Sequence, residues 1–295
     1  MRQPARRRGG RAISGRATHE GDQADGSRGA TPGRQSAVAV AEGRGGPNVV
    51  AHDLNSAVAL ARDVYWVGRH DPDTLLHCNA YLLVDEQDVV LIDPGSIPDF
   101  HVIMRKVLDV VSPEQITLLV ASHQDPDVCG NTAVVEEVVN NPDLEIAAHP
   151  ETIRLIRSLG LRSRYFDPSE NGWRRVLKSG RVLEFIPTPF LHSPGAMVTV
   201  DVKTKTAFTS DLFGGISREW SLFASGGYLE AMTPFHQRYM PTNAVLRPCI
   251  EALEQKGFER ICPQHGSVLE GEQLAAAFAH LKELRCGLDL RAGNG

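Results

Sequence analysis

Four times along this 295-residue chain an apolar, strand-like run stops and a histidine or an aspartate follows within a few residues. His123, Asp125 and Asp127 follow the run 116–121, His192 follows 182–186, Asp211 follows 205–209, and His265 follows 260–262. Strand ends along one edge of a sheet are where a rigid backbone aims loop side chains at a common point. Three carboxylates gathered there without counter-charge would be strongly destabilised. Two divalent cations would offset Asp125, Asp127 and Asp211, with Asp211 best placed to bridge them. Three imidazoles and three carboxylates form a mixed nitrogen and oxygen set that suits iron or manganese and does not exclude zinc. Taken singly, a His-x-Asp is a solvated turn and His192 a satisfied core histidine. Recurrence after separate strands is what argues for a metal site. In extended backbone His123, Asp125 and Asp127 have period two, so their side chains are expected to point one way.

The pattern around these positions predicts strands over 64–67, 79–84 and 89–92, the last two joined by a polar turn. A helix is predicted over 100–111, stopped by Ser112-Pro113. The run 116–121 is apolar throughout, which suits a buried sheet position. Further helices are predicted over 131–139, 151–159, 243–255 and 273–284, and further strands over 145–148, 182–186, 196–202, 205–209 and 260–262. Residues 160–172 read as a surface excursion and 211–227 as a glycine-rich irregular stretch. Two strand-rich halves with interleaved helices imply a layered α/β body with both sheet faces covered. Periodicity leaves open whether there is one sheet or two.

Residues 1–46 stand apart, with nine Arg, four acidic residues and almost no aliphatic run. Such a segment cannot bury enough surface to offset its ordering entropy, so it reads as a disordered basic tail before a domain spanning 47–290. Beyond it 22 basic and 32 acidic residues remain, and an acidic body argues against a nucleic-acid groove. There is no 18-residue apolar run, so no membrane segment is expected. The five cysteines, Cys78, Cys129, Cys249, Cys262 and Cys286, match no zinc or iron–sulfur spacing, and their odd number fits a reducing cytoplasm.

Six segments carry a resemblance: Asn79-Ala80-Tyr81-Leu82-Leu83, Leu91-Ile92-Asp93-Pro94-Gly95, His123-Gln124-Asp125-Pro126-Asp127, Leu191-His192-Ser193-Pro194-Gly195, Thr209-Ser210-Asp211-Leu212-Phe213-Gly214 and Pro263-Gln264-His265-Gly266. In this order they resemble the metallo-β-lactamase superfamily, and within it the diiron domain of flavodiiron proteins and the oxygen-binding diiron proteins. The resemblance implies a metallo-β-lactamase-like αβ/βα four-layer sandwich. It implies one iron on His123, Asp125, His192 and a bridging Asp211, and a second on Asp127, Asp211 and His265. Asp125 stands where the zinc hydrolase branch has a histidine, a hard oxygen ligand that fits the iron branch. It is one methylene shorter than the glutamate of the diiron relatives. Val128 stands where those relatives have a final histidine, so the second metal lacks one protein ligand.

From the resemblance the expected function is a non-haem diiron protein, with two Fe ions, that binds or reduces dioxygen, with nitric oxide as another candidate gas. No flavin is expected on this chain, so turnover would need a separate flavoprotein or rubredoxin-like electron donor. The alternatives are an oxygen-sensing module without turnover and a metal-dependent zinc hydrolase, against which Asp125 and Val128 count. A homodimer is implied by the relatives. Cys129 is read as structural or redox-sensitive, with a helix N-terminus able to lower its pKa, and Val128 as part of the gas-pocket wall. His149 is read as a capping group. His70 or His77 is a candidate neighbour of the metals, His236, Tyr228 and Tyr239 are pocket or packing residues, and Trp220, Phe223 and Phe235 are a lid or a docking face.

Overall fold

In the strand β4 (Asp88–Ile92), alternate side chains serve two different cores. Val90 and Ile92 join one apolar cluster while Val89 and Leu91 join another. The strand β5 (Ile116–Val120) divides in the same way, with Leu118 and Val120 on one face and Leu119 on the other. This is the period-two consequence of a strand covered on both faces, and it explains why both runs read as continuously apolar. Each such side chain, fully withdrawn from water, contributes about 1.5–3 kcal/mol.

The structure is a computed structural model that describes residues 52–291. The tail expected over 1–46 and the beginning of the domain expected at 47 lie outside them. Two sheets result. The first has seven strands in sequence order, β1 (Val58–Ala61), β2 (Val64–Trp66), β3 (Tyr81–Asp85), β4, β5, β6 (Glu145–Ala147) and β7 (Arg164–Phe166). The second has six, with β8 (Arg174–Val176) at one edge, then β9 (Val182–Pro187), β10 (Met197–Asp201), β11 (Thr206–Ser210), β12 (Arg260–Pro263), and β13 (Leu269–Glu270) at the other edge. Inward faces of both sheets share one cluster, to which Trp66, Tyr81 and Ile92 come from the first sheet and Phe185, Met197 and Phe208 from the second.

Helices cover the two outer faces. The first sheet carries α1 (Phe100–Leu108), the single turn α2 (Pro126–Cys129), α3 (Thr132–Val139) and α4 (Pro150–Ile156). The second carries α5 (Tyr228–Tyr239), α6 (Asn243–Glu254) and α7 (Glu272–Glu283). The layering is therefore αβ/βα, the metallo-β-lactamase sandwich expected from the sequence. Among the described residues no helix is long and apolar enough to cross a membrane.

Several elements depart from expectation. The excursion 160–172 contains β7, and the sequence pattern also missed β1, β8, β13 and α5. The helix α5 carries Pro234 in its interior, and Tyr228, Met232 and Phe235 form its buried face. Strands β9 and β11 run antiparallel to β10, and β12 runs parallel to β11, so all three end at the same edge of the second sheet. That common edge is where the residues 192, 211 and 265 leave the sheet.

At the opposite ends of the strands a buried ion pair ties the layers together. Arg181 reaches Asp201 through Nε at 2.8 Å and Nη2 at 2.7 Å, and its Nη1 lies 3.8 Å from Asp85 of the first sheet. Its side chain is 1% exposed and that of Asp201 is 0% exposed, so neither charge has water as a substitute partner. Replacing Arg181 with Met leaves Asp201 buried without its bidentate partner. The expected loss is roughly 3–5 kcal/mol, read as a lower midpoint in urea unfolding.

Candidate metal centre

The loop after β5 is anchored before any metal-ligand type of residue is reached. Asp93, with φ 49°, follows β4 and accepts hydrogen bonds from the Ser122 N–H and the Ser122 Oγ, both at 2.9 Å. Burial pushes its carboxyl up to about 6. This contact holds the backbone one residue before His123. The His123 Nδ1 lies 2.8 Å from the Ser210 Oγ, joining the end of β5 to the end of β11.

The histidines and aspartates then fall into two halves. In the first, His192 Nε2 lies 3.2 Å from Asp125 Oδ2 and 2.9 Å from Asp211 Oδ2. His123 Nε2 lies 3.6 Å and 3.8 Å from the same two oxygens. In the second half, His265 Nε2 lies 3.2 Å from Asp127 Oδ2 and 3.6 Å from Asp211 Oδ1. Nitrogen and oxygen ligands held ~2.0–2.2 Å from one ion stand roughly 3–3.5 Å apart, so these separations are those of a coordination shell. His123, His192 and Asp211 form one group with ligand-type atoms within 4.8 Å of one another, and Cys78, Asp127 and His265 form another.

Asp211 joins the two. Its Oδ2 turns toward the first half and its Oδ1 toward the second, and Oδ1 is buried without a hydrogen-bond partner. A buried, unpaired carboxylate oxygen is costly, and a cation shared with Asp127 and His265 would satisfy it. The residues present therefore fit two metal ions on independent geometric grounds.

The charges depend on one another. Hydrogen bonds from His123 and His192 hold the Asp125 carboxyl far below the usual range. Burial alone would raise Asp211, yet the hydrogen bond from His192 and the nearby imidazoles hold it at about 2. Hydrogen bonds to Asp125 and Asp211 raise His192 to about 10. Burial opposes the charge on His265, but Asp127 and its other neighbours keep it well above the ordinary histidine value. Without a metal, protons take the place of the cations.

Neighbours fix the orientation of the imidazoles. His265 Nδ1 donates to the His77 carbonyl at 3.1 Å. A carbonyl only accepts, so Nδ1 carries a proton, and Nε2 donates a second one toward Asp127 in the metal-free protein, freeing its lone pair for a cation only when that proton leaves. Gly266 has φ +83°, and a Cβ there would collide with the Tyr228 hydroxyl and the Gly215 backbone. That hydroxyl donates to the Phe213 carbonyl at 2.8 Å and accepts from the Ser267 N–H at 3.1 Å, linking the Asp211 loop to the His265 loop. Phe235 stands 5.4 Å from the His265 ring and Tyr239 5.9 Å from the His192 ring, as an aromatic wall.

Several sequence expectations are corrected here. The side chains of His123, Asp125 and Asp127 do not share one direction, because Pro126 opens the helical turn α2 and sends Asp127 to His265. Cys129 ends that turn rather than starting a helix, and burial pushes its thiol up to about 12, not down. Val128 is fully buried in the core outside the first sheet, among residues such as Leu119 and Val135. His236 is a core residue that accepts from the Phe213 N–H at 3.1 Å and lies 2.9 Å from the Met232 carbonyl. His149 caps α4, as expected, by accepting from the Glu151 N–H at 3.1 Å. Of the two N-terminal histidines, His77 adjoins the centre in a cluster with His70 and Trp220, and neither of its ring nitrogens is paired. Cys78 was missed altogether, since nothing in its spacing separates it from a structural cysteine.

Comparison with known proteins agrees with this geometry. A family model described as ODP family beta lactamase matches residues 76–266. The type A flavoprotein fprA of Rhodobacter capsulatus is 28% identical over 229 residues, which cover 72% of this chain and 52% of that protein. The chain thus spans about half the length of that curated relative. Among solved structures, one described as the peroxy diiron species of chemotaxis sensor ODP superposes with a TM-score of 0.69 at 25% identity, covering 80% of this chain and 98% of that one. The rubredoxin oxygen:oxidoreductase of Desulfovibrio gigas has the same fold, with a TM-score of 0.69 at 21% identity over 77% of this chain and 61% of that one.

Because an imidazole must be neutral to bind a metal, protons and cations compete for the centre. Metal affinity is expected to rise with pH, since His192 is held near 10 without a metal and must release its proton on binding. Divalent metal should raise the melting temperature. Asp211→Asn should remove most of that rise, because both halves lose charge at once. Thermal melts of both proteins with and without added metal at two pH values test this.

Proposed function

This chain belongs to the ODP family of metallo-β-lactamase-fold proteins, and on that premise we propose that it is a diiron dioxygen sensor. The observation that carries the reading is Asp211, whose two oxygens address two separate histidine-bearing halves. In this reading His123, Asp125 and His192 would hold one ion, Asp127 and His265 the other, and Asp211 would contribute to both. A pair of ferrous ions held there would supply the electrons for dioxygen binding, chemistry that no side chain in the centre can perform alone.

The chain's own part is placement and exclusion. Strand ends from both sheets bring the two halves within one carboxylate of each other, so two ions would be held as a pair. The Ser210 hydroxyl beside His123 and the His77 carbonyl beside His265 hold the rings in position. Phe235 and Tyr239 place aromatic rings beside His265 and His192. Asp125 gives the first half a hard oxygen ligand, which supports iron over the zinc of a hydrolase.

Sensing is favoured over catalytic reduction by the family match: residues 76–266 fit the ODP family model, and the ODP structure that superposes on this chain is described as that of a chemotaxis sensor. Reduction with turnover would draw electrons from a separate flavoprotein or rubredoxin-like donor. The two readings separate on oxygen consumption. Protein loaded anaerobically with ferrous iron and exposed to air should develop a lasting visible chromophore, with uptake that stops once the iron is saturated. Sustained uptake with a supplied reductase, or a purified protein that holds zinc and hydrolyses esters, would overturn the sensor reading.

A further inference from the structure

We propose that Cys78 is a thiolate ligand of the second metal ion, the one held by Asp127 and His265, so that the two halves of the centre differ in chemistry. The proposal rests on the two-metal reading and adds a residue to it. Four observations carry it.

The Cys78 Sγ lies with the ligand atoms of Asp127 and His265 inside one 4.8 Å group. The residue itself is held beside His265 by its backbone. Cys78 and His265 form an antiparallel bridge, and the next residue, Asn79, donates its N–H to the Gln264 carbonyl at 2.7 Å. The side chain of Asn79 tightens the same junction by donating to the carbonyls of Pro263 at 2.9 Å and Gly266 at 2.8 Å. Cys78 therefore cannot leave His265 without breaking several buried hydrogen bonds.

The second half also needs a donor. Val128 offers no lone pair and is buried in the core outside the first sheet, so Asp127, His265 and one oxygen of Asp211 are a three-donor set. Adding Cys78 completes four donors, the number a compact site with thiolate, imidazole and carboxylate ligands commonly presents. Cys129 does not fill the role, because its Sγ donates to the carbonyls of Gln124 and Asp125, each at 3.3 Å.

Charge points the same way. Two divalent ions against Asp125, Asp127 and Asp211 leave one positive charge in a largely buried centre, and a thiolate on Cys78 brings the sum to zero. The step is simple in balance: the sulfur–metal bond forms as the thiol proton passes to solvent, and no oxidant or reductant is needed. Cys78 is half-buried and lines a small open pocket with Arg69, Asp71, Leu76, His77 and Asp99, so the proton has a way out. A soft sulfur on one ion and only nitrogen and oxygen on the other would make the two metals unequal in affinity and in ease of oxidation.

X-ray absorption at the metal edge reads the ligand directly. Wild-type protein loaded with two equivalents of zinc, used as a redox-silent probe, should show a sulfur scatterer at about 2.3 Å. Cys129→Ser should keep it and Cys78→Ser should lose it. Cys78→Ser should also release one of its two ions to a chelator well before the other. Two bound ions with nitrogen and oxygen scatterers alone in the wild type would overturn the role of Cys78 and leave the two-metal reading standing. A wild-type protein that takes up fewer than two ions would remove the reading on which this inference depends. Because the decisive spectrum is that of the wild type, a Cys78→Ser variant that fails to fold does not obscure the answer.

Discussion

Three carboxylates and three imidazoles meet at the strand ends of this protein, and their mutual charge balance is the constraint to which the surrounding architecture answers. Asp211 is its centre. It is buried, held near 2 by the imidazoles around it, and leaves one oxygen unpaired toward Asp127 and His265. A burial of this kind is tolerable only while positive charge is supplied, by protons in the free protein or by metal ions when they bind. The same electrostatic economy explains why the histidines are held protonated in the absence of a cation and why binding is coupled to proton release.

Around that centre the scaffold is devoted to keeping loops from moving. Asp93 ties the end of β4 to the residue before His123, and Ser210 lies within hydrogen-bond distance of His123 across the gap between sheets. Tyr228 joins the Asp211 loop to the His265 loop, while His236 accepts from the backbone of Phe213 between them. Left-handed backbone at Asp93, Ser210 and Phe213 is concentrated in the same loops. Such conformations cost of order 1–3 kcal/mol each and persist where the surroundings over-determine them. At the far end of the strands, Arg181 with Asp201 and Asp85 connects the two sheets that the metal centre spans at the near end.

The failures of sequence reading follow a physical pattern. The four strands it missed, β1, β7, β8 and β13, are the four edges of the two sheets. An edge strand is short and does not need apolar side chains on both faces, so it leaves little periodic signal. Central strands such as β4 and β5 are covered on both sides and could be read almost to the residue. The helix α5 went unread although Tyr228, Met232 and Phe235 stand at helical spacing, while its residues Tyr239 and Phe235 were legible as pocket or lid candidates.

What the sequence by itself determined is the order of the inner strands and of most helices, the layered α/β class, and the six residues His123, Asp125, Asp127, His192, Asp211 and His265 that the fold gathers at one edge. Strand ends can be recognised locally, because apolar runs and the polar residues after them are contiguous in the chain. How those six divide was implied by the family resemblance, but the physical cause of the division is visible only in three dimensions. The turn begun at Pro126 separates Asp127 from Asp125, and the two oxygens of Asp211 face opposite halves. Cys78 stands beside His265 through a bridge between residues 187 positions apart, and no local pattern encodes such a pairing. Proximity between distant segments is a property of sheet register and loop closure, and it exists only once the chain has folded.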